Sequence, residues 1–65
     1  MNINEPQVSA MGRYSTDRAC SELGVSRSTL ERYRRSGAIR AHYFKTNWRP
    51  FFYGKDIIAL WRLSV

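Results

Sequence analysis

Arg27, Arg32, Arg34 and Arg35 fall within one short stretch, Gly24–Gly37, together with the hydroxyls of Ser26, Ser28 and Thr29. A guanidinium is a rigid fork that fits two phosphate oxygens or the two acceptors on a guanine edge, and a major groove is wide enough to admit a helix. At about 100° per residue, Leu30 and Tyr33 lie on one side of such a helix, while Ser28, Arg32 and Arg35 point the opposite way. Arg27, Ser28, Thr29, Arg32 and Arg35 are therefore the candidate recognition surface. Ser26 and Arg34 on its flanks, and Arg18 upstream, are candidate phosphate contacts. The competing reading is an ordinary solvated charged face.

A second basic group follows in Lys45-Thr46-Asn47-Trp48-Arg49. Lys45 and Arg49 suit phosphate neutralisation, and Thr46 and Asn47 can add hydrogen bonds. Trp48, beside Pro50 and Phe51, is expected to pack this loop onto the domain, with stacking on a sugar-phosphate edge as the alternative.

Other chemistry finds little support. His42 is the single histidine and Cys20 the single cysteine, so no tetrahedral zinc set or internal disulfide is available. There is no nucleophile motif and no glycine-rich phosphate loop. The expectation is a protein that is not an enzyme, needs no cofactor or metal, and takes no small-molecule substrate. Cys20, next to Ala19 and near Leu23, reads as a small buried apolar residue.

The elements that must position these groups carry local signals. Ser15 is a helix N-cap with Asp17 in the first turn, and Ala19, Cys20 and Leu23 run along one side. Gly24 ends that helix. Ser26 caps the next, Val25 can close over Leu30, and Gly37 stops it after Arg34 and Arg35. Two helices joined by so tight a turn form a helix-turn-helix arrangement. Ile39, Ala41 and Tyr43 then alternate with Arg40 and His42, and Pro50–Tyr53 is short and aromatic, so residues 39–44 and 50–53 are expected to pair as a two-stranded antiparallel hairpin, a wing. Ile57, Ile58, Leu60 and Trp61 recur at helical spacing behind Gly54 and predict a third, structural helix. Residues 1–12 show no sustained period and read as a flexible arm, leaving 13–65 as one α+β domain.

The net charge of +6 at pH 7 is uneven: residues 24–49 hold seven basic side chains and one acidic, and the rest of the chain sums to zero. A local basic field of this kind favours a polyanion, nucleic acid being the commonest, over a membrane surface. No signal peptide or membrane span is recognisable, and with a single cysteine the expected location is the cytoplasm.

Tyr14–Leu30, then Arg35-Ser36-Gly37-Ala38-Ile39 and Tyr53-Gly54-Lys55-Asp56-Ile57, resemble the excisionase group of MerR-like winged-helix proteins, most specifically at Ala19, Leu23-Gly24-Val25-Ser26 and Ser36-Gly37. The resemblance implies a small, bacterial or phage-encoded, nucleoid-associated winged helix-turn-helix protein of a mobile element that binds repeated sites in double-stranded DNA, bends it, and recruits a site-specific integrase toward excision; the small footprint adds the expectation of cooperative self-association on DNA. A small transcription regulator of a phage, plasmid or transposon uses the same module. A protein-interaction adaptor with a basic face is the alternative of another class.

Overall fold

Ser15 does what its type predicts. In the computed structural model, which describes residues 1–64, it lies in an extended conformation and its hydroxyl accepts the Arg18 amide N–H, opening helix α1 (Thr16–Leu23). Gly24, at φ 73°, closes α1 in the left-handed region where a side chain is costly. Ser26 then accepts the Thr29 amide and opens α2 (Arg27–Ser36). At the far end Gly37, at φ 85°, donates to the Arg34 carbonyl while Ala38 donates to Tyr33, the paired bonds of a Schellman stop. Both helices thus begin and end where local capping chemistry places them.

The sheet departs from the expected hairpin. It has three antiparallel strands, β1 (Arg13–Tyr14), β2 (His42–Tyr43) and β3 (Pro50–Tyr53), in the order β1-β3-β2. Arg13 and Tyr14 pair with Tyr53 and Phe52, and His42 and Tyr43 pair with Phe51 and Pro50. The extra strand is two residues long, too short to show an alternation in sequence. The expected strand over 39–44 shrinks to His42–Tyr43 because Ile39, at the end of the α2 stop, is drawn into the core and takes residues 39–41 off the sheet. Helix α3 (Gly54–Ser64) follows β3 without a loop.

Alternation along β3 divides the aromatic residues. Phe52 faces the helices and joins Ala19, Cys20, Leu23, Leu30, Ile39, Ile57 and Leu60 in one core. Leu23, Leu30, Ile57 and Leu60 are essentially fully buried, each contributing about 1.5–3 kcal/mol of burial. Phe51 faces the other way and is nonetheless covered, by His42 and Phe44 at ring separations of 5.4 and 4.5 Å and by the Arg13 guanidinium at 5.3 Å.

Residues 1–12 lie against the domain, where a free arm was expected. The Asn2 amide N–H donates to the Leu23 carbonyl (2.8 Å), and Trp61 Nε1 donates to the Asn2 carbonyl (2.8 Å). Pro6 is buried, whereas Ile3 and Met11 remain exposed. The carbonyls of Gly12 and Ala10 accept from Gly54 and Lys55, so this segment caps α3, whose first turn would otherwise hold unpaired donors.

Candidate functional site

The outward face of α2 follows from the burial of Leu30 and the partial burial of Tyr33, which turn Ser28, Arg32 and Arg35 to solvent. These guanidinium groups differ in their surroundings. Arg27 donates through Nε to Asp17 Oδ1 at 2.9 Å, and this partner raises its pKa further. Arg34 donates to Glu31, with Nε–Oε2 at 3.0 Å, and Arg35 lies 3.6 Å from the same carboxylate. Arg34 first, then Arg35, hold the Glu31 carboxyl below its ordinary range. Among the described residues Arg32 has no carboxylate within ion-pair reach. It therefore keeps its full donor set for an outside acceptor, while its neighbours must first exchange an internal one.

The loop between β2 and β3 is closed by three hydrogen bonds: Phe44 N–H to Arg49 O (3.0 Å), Trp48 N–H to Phe44 O (2.7 Å) and Arg49 N–H to Asn47 Oδ1 (3.0 Å). Lys45, Thr46, Asn47 and Arg49 are exposed, and neither Lys45 nor Arg49 has an ion-pair partner among the described residues. Trp48 corrects the expectation that it packs the loop onto the domain. Its residue is 71% exposed, at φ 58°. The packing role falls to Phe44, whose ring covers Phe51.

Two of the groups picked from sequence open onto the same depression. Arg27 of α2 and Arg49 of the loop line one open depression of about 290 Å³, with Asp17 and Pro50 between the helix starts and the loop. Thr29, Arg32, Tyr33, Arg35 and Ser36 line a second along α2.

Other candidates are engaged within the fold. The Ser26 hydroxyl accepts the Thr29 amide and donates to Thr29 Oγ1 at 3.1 Å, so both hydroxyls belong to the helix cap. Arg18 donates to Glu22 Oε2 (2.9 Å) and to the Gln7 carbonyl (3.2 Å), and its guanidinium lies over the Tyr14 ring. These contacts tie α1 to the N-terminal segment. The backbone N–H of Gln7 and then Arg18 lower the Glu22 pKa. Burial raises the Cys20 thiol pKa, which keeps it protonated and unreactive.

Sequence reasoning missed Asp17 and Glu31, which set how available the arginines are, and it missed Tyr43. That residue entered the sequence reading only as part of the alternation with Arg40 and His42; it is half exposed and shares a depression with Arg34 and Arg40. Its signal was present only in the register, because Tyr43 pairs with Pro50 at the sheet's end, beyond the cover of the core. The chain matches no protein-family model, no curated protein and no solved structure.

Proposed function

We propose that this chain is a winged helix-turn-helix module that binds double-stranded DNA, and that it acts as an excisionase-type architectural factor directing integrase-mediated excision of a mobile element. The observation that carries the DNA reading is that Arg27 and Arg49 line one depression, so the basic loop lies beside the start of the basic helix. Helix α2 enters a major groove with Ser28, Arg32 and Arg35 toward the base edges, and Lys45 and Arg49 follow the neighbouring phosphates. Thr29 and Ser26 hold the helix start, and Arg34 reaches a phosphate only by giving up its pair with Glu31. The excision role rests on the sequence resemblance and on size: a domain with so small a footprint binds usefully when several copies occupy adjacent sites.

The test is a selection from random duplexes, followed by titration of the selected duplex and of random DNA across a salt series. Arg32→Ala is expected to lose about 1–3 kcal/mol on the selected duplex and little on random DNA, as a base-reading arginine does. An unchanged affinity would remove α2 from the interface. Cooperative binding with a bend supports the architectural role, selective binding without one points to a transcription regulator, and a flat salt dependence points to a protein adaptor.

A further inference from the structure

Trp48 is unusual in two independent ways. A bulky side chain at positive φ is a rare backbone state, and such states persist where the surroundings impose them, often at functional sites. Asn47, the preceding residue, is the type that tolerates this region, yet it uses its side chain to hold the Arg49 amide and leaves the left-handed position to tryptophan. The indole is then displayed to solvent, outside the aromatic cluster that Phe44, Phe51 and Tyr53 form on the sheet. Lys45 and Arg49 flank it with no carboxylate partner among the described residues.

An exposed apolar plate on a loop that also carries two cations without carboxylate partners among the described residues fits a flat apolar slot bordered by negative charge. A base step between phosphates is such a slot, and large apolar side chains inserted there unstack it and kink the duplex. We infer that Trp48 is a wedge that enters a base step of duplex DNA and is the source of a kink. This rests on the DNA-binding reading above and adds to it the residue that deforms the duplex. The hydrogen bonds closing residues 44–49 keep the loop's shape, so the indole arrives without reordering the loop.

The experiment uses the full chain and the selected duplex with 2-aminopurine placed at successive positions. Wild-type protein is expected to raise 2-aminopurine fluorescence several-fold at one step and to bend the duplex. Trp48→Ala is expected to abolish both signals and to weaken binding about 10- to 100-fold, as loss of a stacking aromatic does. Trp48→Phe keeps part of each. Trp48→Gly relieves the positive φ, so it is expected to melt higher than wild type while binding as poorly as Trp48→Ala; emission from Trp61, half-buried and bonded to Asn2, checks that every variant is folded. Selective binding by wild type with no 2-aminopurine response, or with the same bend and affinity in Trp48→Ala, overturns the wedge and leaves the DNA-binding reading standing. No selective binding by folded wild type overturns both and leaves Trp48 as an anchor for an acidic protein.

Discussion

Gly54→Ala tests whether the N-terminal segment is part of the folded domain. A methyl group at residue 54 would overlap the Ser9 carbonyl oxygen and come within 2.7 Å of the carbonyl carbon, a backbone group with no flexible end to swing aside. If the contact is kept, overpacking costs about 1–3 kcal/mol. If instead residues 9–12 lift away, the bonds from Gly54 to Gly12 and from Lys55 to Ala10 are lost, at about 0.5–1.5 kcal/mol each. Either route costs a similar amount, and because Gly54 is the first residue of α3 the helix-interior advantage of alanine does not offset it. The net expectation is a loss of about 1–2 kcal/mol from a domain whose whole stability is about 3–10 kcal/mol. Thermal unfolding by circular dichroism should show Tm lower by roughly 5–15 °C. In a Trp48→Phe background the emission of Trp61 reports how far the release spreads: it shifts to the red if Asn2 also leaves and is unchanged if Asn2 keeps its bonds to residues 21–23. A Gly54→Ala protein as stable as wild type, or more so, would refute the packed segment and restore a free arm.

Asp17→Asn is expected to release Arg27 for an outside anion, strengthening binding to DNA several-fold and increasing the salt slope by about 1, since each added phosphate contact frees a counterion; an unchanged slope in the titration would show that Arg27 stays off the backbone. Stability should respond to acid through Glu22, whose folded pKa is lowered first by the Gln7 amide and then by Arg18. The unfolded carboxyl takes its proton first, near pH about 4.3, so the stabilisation is complete above that pH and is lost as pH falls through the folded value. Urea midpoints across acid pH are expected to fall more steeply for wild type than for Glu22→Gln, and equal slopes would show that the Glu22 contacts are not formed.

By itself the sequence settled the helix ends, which act within one helical turn. Ser15, Ser26, Gly24 and Gly37 fixed the ends of α1 and α2, because a cap is a contact between a side chain or a left-handed residue and amides two to five positions away. The outward set of Ser28, Arg32 and Arg35 was equally legible, since a period of 3.6 needs only Leu30 and Tyr33 to orient it. Tertiary structure decided whatever joins distant residues. Arg13 and Tyr14 become a strand only because Phe52 and Tyr53 offer an edge. The N-terminal segment is ordered by partners as far away as Trp61, 59 positions along the chain. Asp17 binds Arg27 across the turn between the helices, and Arg49 comes to the same depression, so the availability of each arginine is a property of the fold. Trp48 shows the limit most clearly. Its neighbours Pro50 and Phe51 suggest packing, but the loop closed by hydrogen bonds between residues 44 and 49 holds residue 48 at positive φ with the indole exposed, a backbone state that sterics disfavour for a bulky residue and that no local signal announces.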